Sequence, residues 1–295
     1  MSAAAPKLDL AQPAGRGLWS DALRRLRRNR AAMTSLLLLG LLVVAVTVGP
    51  LLSPNAFDSS DWDAILLAPT LAGGHWFGTD FLGRDLLVRT LHGGRISLLV
   101  GLSATLVSLL IGVAWGATAG YVGGRVDAFM MRVVDILYAL PFMFFVILLM
   151  VFFGRNIFLI FIAVGAVNWL DMARIVRGQT LSLREREFVL AAKAYGAPGW
   201  RIIAKHIVPN LLGVVVVYVT LTIPQVILVE SFLSFLGLGV QEPFTSWGAL
   251  VNDGAQQMEA GPWLLIFPGL FLALTLFCFN FLGDGLRDAL DPKDR

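Results

Sequence analysis

The sequence predicts an all-α, polytopic membrane protein with six transmembrane helices, and three observations carry that reading. Hydrophobic residues make up 57% of the 295 and charged residues only 15%, where a soluble domain carries about 25% charged; mean hydropathy is +0.76. Apolar runs long enough to cross a bilayer recur along the chain. Between them, the basic residues alternate from loop to loop as successive crossings require. The single cysteine, Cys278, lies inside an apolar run, which excludes an intrachain disulfide and a cysteine-based zinc site. His75, His92 and His206 are scattered outside the apolar runs, so no metal site is expected.

Residues 1–30 begin with a Pro- and Ala-containing stretch and tighten into WSDALRRLRRNR, where Trp19, Leu23 and Leu26 can lie on headgroups beside the arginines. This predicts a cytoplasmic tail with an interfacial helix. Arg24, Arg25, Arg27, Arg28 and Arg30 hold that end inside the cell. The first span follows at 31–52; no small-residue cleavage site comes after it, so it is an uncleaved span and not a signal peptide. Residues 53–95 are then outside, in the periplasm. In that segment Thr79 or Asp80 is the expected N-cap, and Asp85 with Arg89 forms an i,i+4 pair, giving a surface helix that leads into the next span.

Five further spans are expected at 96–120, 129–153, 157–176, 211–235 and 262–282, so that 96–283 forms the core and 284–295 a cytoplasmic tail. Arg125 and Arg132 fall inside, Arg155 alone outside, and Arg174, Arg177, Arg184, Arg186, Lys193, Arg201 and Lys205 inside. Both termini are then cytoplasmic. The connection between the last two spans holds Glu242, Asp253 and Glu259 with no Lys or Arg, which suits an external re-entrant or surface helix.

Charges inside spans cost about 2.5–3.5 kcal/mol at a helix centre on insertion scales, so each needs a reason. Asp171 and Arg174 are three residues apart and read as a structural ion pair on one helix face. Asp135, one turn from Arg132, either pairs or faces the pathway. Glu230 has no basic neighbour in VESFLSFLGLG and is the stronger pathway candidate, with a hydrogen bond inside the bundle as the alternative. Pro141 and Pro224 should kink their spans. Gly101, Gly112, Gly116 and Gly120, with Ser103 and Ser108, permit close helix packing.

The long polar interruption is 184–209, which contains EFVLAAKAYGAPGWRIIAKHIVPN. Phe188, Ala191, Ala192 and Tyr195 recur at three and four, so they share one side of a short helix, while Glu187, Leu190 and Lys193 turn elsewhere. Gly196 should end that helix in a left-handed conformation, and Pro198 suits the first turn of a second helix that starts near Trp200 and stops before Pro209.

These residues resemble the cytoplasmic loop of bacterial ABC-importer permeases, with Ala191, Ala192, Gly196 and Pro209 matching its pattern. Leu190 stands where that family usually has Glu, and His206 and Val208 where Ile and Leu are common. FGTDFLGRDLLVR, GGRISLLVG, LDMARIVRGQTLSL, ESFLSFLGLG, SWGAL and FNFLGDGLRDALDPKDR extend the resemblance over nearly the whole chain, to the C-type permease subunits of peptide importers, nearer to those for oligopeptides than to those for dipeptides, nickel chelates or glutathione. The resemblance implies the type I permease fold and a heterodimer with a homologous B-type subunit. It also implies two cytoplasmic ATPase subunits, which would hold ATP and Mg, and a periplasmic peptide-binding protein. In it, Glu187, Phe188, Ala191, Ala192, Tyr195, Gly196 and Pro209 would belong to the helix that couples to the ATPase.

Other classes fit less well. The chain has no Gly-x4-Gly-Lys-Ser/Thr phosphate loop, so energy must come from a partner or an ion gradient. A serine-type intramembrane protease needs a histidine within a span, and none lies there; an aspartyl type needs two intramembrane aspartates sharing a proton. A self-sufficient secondary transporter should show inverted repeats, which are not evident. The chain is therefore expected to be no enzyme, to hold no cofactor or metal itself, and to partner lipid and protein but not nucleic acid.

Overall fold

The computed structural model describes residues 18–71, 74–153 and 157–290; the tail 1–17, the last five residues, Arg155 and the side chain of Trp19 lie outside the described residues. Among those residues the chain is helical and forms no strand, only one isolated bridge between Thr79 and Asp85. Helices α1 (Leu18–Arg28) and α2 (Arg30–Leu52) are separated by Asn29, whose side chain caps α2 by accepting the Ala32 N–H at 3.1 Å. Then come α3 (Leu86–Val122), α4 (Gly124–Ala139), α5 (Phe142–Phe153), α6 (Ile157–Leu183), α7 (Glu187–Ala194) and α8 (Gly199–Ile202). A wider turn at Ile203–Ile207 leads into α9 (Val208–Phe235), followed by α10 (Trp247–Gln256) and α11 (Trp263–Leu290).

By length and composition, four described helices can each cross a membrane: Arg30–Leu52, Leu86–Val122, Gly199–Phe235 and Trp263–Leu290. The expected third span is broken. Pro141 offers no N–H and forces Leu140 into an extended conformation with ψ of 134°, so the run divides into α4 and α5. Their 16 and 12 residues rise only about 24 and 18 Å, and neither suffices alone. The expected fourth span lies in α6, where several side chains of the first turns fall outside the described residues.

Among the described residues the most extensive helix pairing is that of α3 with α6. A Cβ on Gly112 would lie 2.5 Å from the Met172 Cβ, one on Gly120 2.8 Å from the Thr180 Cβ, and one on Gly116 would run into the Ala173 carbonyl. The glycines therefore let two backbones meet where no side chain fits. Because Gly112, Gly116 and Gly120 meet Met172, Ala173 and Thr180 in that order, α3 and α6 run parallel, and α4 with α5 must carry the chain back between them. Gly101 faces Ile227 on α9 instead.

The remaining helices follow from similar contacts. Gly213 lies beside Leu290 and Gly283 beside Leu221, so α11 runs antiparallel to α9. Gly285 meets Ala32, which brings the start of α2 to the same end of the bundle as the close of α11 and the loop holding α7. At the opposite end Gly93 of α3 faces Ser246, and α10 packs there by its Gly254 on Leu264.

That opposite end is closed by residues 53–85, whose described residues form no helix beyond a 3-10 turn at Trp62–Ala64. Gly78 and Gly83 take φ of +79° and +72°, and a side chain on Gly83 would collide with the Asp61 carbonyl. The Asp80 carboxylate accepts the backbone N–H groups of Leu82 and Arg84 at 2.8 and 2.9 Å and the Arg84 Nε at 2.7 Å. The N-cap of α3 is Asp85, neither Thr79 nor Asp80: its Oδ1 accepts the Val88 N–H at 3.0 Å. Its Oδ2 is taken by His75 Nδ1 at 2.8 Å, so the expected pair with Arg89 does not form. Arg89 turns towards Asp80, 3.4 Å away.

Glu230 sits where α3, α9 and α10 converge, with no exposed surface. Its Oε1 accepts the Ser234 hydroxyl at 2.7 Å and its Oε2 the Ser97 hydroxyl at 3.4 Å. Ser97 Oγ in turn accepts the backbone N–H of Trp247 at 3.1 Å, and the Trp247 indole donates to the Thr90 carbonyl at 2.9 Å. Of the two sequence expectations, the hydrogen bond inside the bundle is the one the structure contains.

Two stability predictions follow from these contacts. Gly116→Val should lower thermal stability in detergent by about 2–3 kcal/mol through overpacking, whereas Gly178→Ala, where an added Cβ meets nothing within 4 Å, should be neutral or stabilising. Glu230→Ala should cost about 3 kcal/mol and Glu230→Gln no more than about 1 kcal/mol. Melting curves of the purified protein test both, and an Ala variant as stable as the parent would contradict the buried network.

Candidate functional site

The loop after α6 is built as a lever with an inner and an outer face. Arg184 first ties the end of α6 to α3 by donating from Nη1 to the Gly120 carbonyl at 3.3 Å. Helix α7 then starts with Glu187 in its first turn, where a carboxylate suits the positive end of the helix dipole. It ends in a Schellman turn: Ala197 N–H donates to the Ala192 carbonyl at 3.1 Å, Gly196 N–H to the Lys193 carbonyl at 2.9 Å, and Gly196 takes φ of +75°.

Beyond Gly196 the structure departs from the expected helix-turn-helix. Pro198 is the N-cap of α8 and not part of its first turn, and the second helix does not stop before Pro209. It runs through Ile203–Ile207, where Val208 N–H reaches back five residues to the Ile203 carbonyl, directly into α9. Pro209 has no N–H to donate and its ring crowds the preceding turn, which a widened turn accommodates. The loop thus runs without a break into a membrane-length helix.

The inner face of α7 carries Val189, fully buried with Ile202, Ile207 and Leu211 against Ala117 of α3 and Met172 and Val176 of α6. Phe188, Leu190, Ala191 and Pro209 lie outward, and Tyr195 and Trp200 are 91% and 67% exposed. Ala192 was expected to share the outer side with Phe188, Ala191 and Tyr195, yet it is half-buried against the same core. It lies three residues from Val189, so the helix turns both inward. Two large exposed aromatics beside apolar neighbours are an unusual surface for a lone soluble face.

Above the lever, α4 is fixed to α6 by two ion pairs. Arg177 binds Asp127 through two hydrogen bonds of 2.5 and 2.7 Å. Arg174 reaches Asp135 at 2.9 Å and lies 4.3 Å over the Tyr138 ring. The expected pair between Asp171 and Arg174 is therefore corrected: the guanidinium finds a carboxylate and an aromatic face together on α4. Asp171 instead lines a cleft of about 340 Å³ with Leu137, Tyr138, Asn168 and Val229, beside the break at Pro141. Asp127 was not singled out from the sequence, because its partner is fifty positions away.

At the opposite end, Arg84 Nη1 donates to Glu242 Oε1 at 2.8 Å. Burial works against the Arg84 charge, but the Glu242 hydrogen bond and the Asp80 carboxylate outweigh it and raise its pKa above the usual guanidinium value. The Asp253 carboxyl is pushed above the usual carboxylate range, first by burial, with Arg89 opposing. A cavity of about 400 Å³ opens here, with Arg89, Glu242 and Asp253 in its wall. Among the described residues no group of three or more metal-ligating side chains occurs.

Comparison with known proteins agrees with this geometry. Residues 112–295 match the family described as the binding-protein-dependent transport system inner membrane component, and residues 17–69 match the N-terminal TM domain of oligopeptide transport permease C. The chain is 60% identical over 291 residues to the oligopeptide transport system permease protein OppC of Haemophilus influenzae, covering 99% of this chain and 94% of that one. It is 61% identical over 281 residues to OppC of Escherichia coli, covering 95% and 93%. To the dipeptide transport system permease protein DppC of Bacillus subtilis it is 50% identical over 276 residues, covering 93% and 86%. With a lever of this build and matches over almost its whole length, the chain belongs to the family of binding-protein-dependent transport system inner membrane components, among its OppC-type peptide permeases.

Proposed function

We propose that this chain is the C-type permease subunit of an oligopeptide importer, forming half of a translocation pathway and moved by ATPase subunits that it does not contain. The observation that carries the reading is the two-faced lever: its inner side is locked onto α3, α6 and α9, while Phe188, Tyr195 and Trp200 stay outside. An exposed tyrosine and an exposed tryptophan on one loop are residues that a protein partner anchors on. Closure of two ATPase subunits around ATP and Mg would push this face, and the push would travel through Val189 and Ile202 into the helix bundle.

Charge supports the orientation. Arg184, Arg186, Lys193, Arg201 and Lys205 gather at the lever end, together with the arginines of α1, whereas Glu242, Asp253 and Glu259 lie at or beyond the far end without a Lys or Arg in that connection. The positive-inside rule puts the lever and both termini in the cytoplasm. Six crossings follow if α4 and α5 together form the return between the parallel α3 and α6. The partners are then a homologous B-type subunit across the pathway and a periplasmic peptide-binding protein at the far end. The 60% identity to a protein named for oligopeptide transport supports the substrate class.

Tyr195→Ala and Trp200→Ala should each weaken retention of the ATPase subunits about 30-fold, equivalent to about 2 kcal/mol at an interface anchor, while the melting temperature of the isolated chain stays unchanged because both rings are exposed. Gly196→Val should weaken retention and also lower the melting temperature, since a β-branched residue at φ of +75° costs about 1–2 kcal/mol and distorts the turn. Co-purification from membranes and ATP-dependent peptide uptake measure the outcome. Full uptake by the Tyr195 and Trp200 double variant would refute the lever as the coupling element.

A further inference from the structure

The cavity at the far end holds polar groups that nothing in the bundle satisfies. Arg89 is 1% exposed, yet its Nε has no hydrogen-bond partner: Asp80 lies 3.4 Å from it, outside hydrogen-bond geometry, and Glu242 is 3.6 Å from its Nη2. The one hydrogen bond its guanidinium makes is a long one, 3.5 Å from Nη1 to the Phe57 carbonyl. A buried guanidinium held this loosely is costly unless a further acceptor arrives. Across the same cavity, the Asp253 carboxylate accepts no hydrogen bond among the described residues. Asn252 accepts from Gln256 at 3.3 Å, which leaves its amide hydrogens directed to no protein acceptor.

The set is therefore mixed, with donors on Arg89 and Asn252 and acceptors on Asp253 and Glu242. Two arginines, Arg84 and Arg89, stand among three carboxylates, those of Asp80, Glu242 and Asp253. A phosphate or a free carboxylate would meet Glu242 and Asp253 as like charges. An isolated ammonium would leave the Arg89 N–H unsatisfied. A neutral group that both accepts and donates suits all four residues, and the peptide unit is such a group. The volume, about 400 Å³, lies in the range of small-ligand sites, and Phe81 and Phe244 give it apolar walls.

We propose that this cavity binds the main chain of the transported peptide as it enters, with Arg89 donating to a peptide carbonyl and Asp253 accepting a peptide N–H. It rests on the importer reading above and adds to it the contact and its chemistry. Recognition through the backbone would be indifferent to side chains, which suits a carrier of peptides of many sequences.

The test uses the whole complex in proteoliposomes: both permease subunits, the ATPase subunits and the periplasmic receptor, with cysteines removed from the partners. This chain has one cysteine, Cys278, which is buried, so Asn252→Cys presents an accessible thiol in the cavity wall. Peptides carrying a thiol-reactive group, delivered by the receptor, should label it, and unlabelled peptides of unrelated sequence should protect it equally. Asp253→Asn should lower uptake about tenfold for acidic, neutral and basic peptides alike, because the amide oxygen still accepts but no longer as a charged acceptor. Absence of labelling in vesicles that still import the peptide would overturn the proposal. So would protection by peptide-free receptor, which would assign the cavity to a receptor segment, or an Asp253→Asn effect that follows the side-chain charge of the peptide. Failure of the parent complex to import any peptide with ATP would instead defeat the importer reading itself.

Discussion

The close contact of α3 with α6 is the constraint on which the other helices depend. Without a hydrophobic drive between helices in lipid, association rests on packing and on backbone approach, and Gly112, Gly116 and Gly120 supply that approach along two turns of α3. Once these two helices are fixed as parallel, several consequences follow. The chain between them must return, so the break at Pro141 lies inside the return. The end of α6 must emerge beside the end of α3, and the loop that follows must begin there. The inner face of α7 then has one place to go, the shelf made by Ala117, Met172 and Val176.

Several charged groups in the bundle are held by a partner on another helix. Arg177 with Asp127 and Arg174 with Asp135 join α6 to α4, and Glu230 joins α9 to Ser97 on α3; its second hydroxyl partner, Ser234 of its own helix, lies 3.3 Å from Ser246 at the start of α10. Breaking such a group from its partner costs far more than the pair contributes to net stability, so these contacts specify arrangement more than they add stability. The two ion pairs hold α4 near its start and towards its end. Beyond Pro141 no charged residue occurs in α5, so the half of the return that follows the break lacks any such tether.

The order of elements was legible in the sequence because it depends on local chemistry. Apolar length marked the spans, and Gly196 marked the end of α7, since a left-handed position there needs no distant residue to specify it. What was not legible depends on distance along the chain. Arg174 has an acceptor three positions away in Asp171, but the real partner, Asp135, is 39 positions off and becomes available only because α4 crosses α6. Asp85 reads as an i,i+4 partner for Arg89, but its carboxylate is taken locally by the cap of its own helix and, through the turn that brings His75 back, by the imidazole. Ala192 falls by spacing on the side of Ala191 and Tyr195, yet it also lies three residues from Val189; periodicity alone could not say which of the two sides would meet the core.

The length of α3 links the two ends of the molecule. Its 37 residues rise about 55 Å as one unbroken helix, with Asp85 and Arg89 at one end and Tyr121 at the other, under the Lys193 ammonium 5.1 Å from its ring. The sequence alone puts the beginning of this span ten residues later, and the difference matters mechanically. A helix starting at 96 would leave the Gly-Thr-Asp segment as a separate surface layer, free to move independently. A helix starting at Leu86, capped by Asp85 and anchored through Asp80 and Arg84, makes that layer part of the same rigid body as the shelf beneath the lever. In the proposed importer, displacement at α7 would therefore reach the cavity around Arg89 without any relay of rotamers between them, because one continuous helix with a glycine seam against α6 spans the distance.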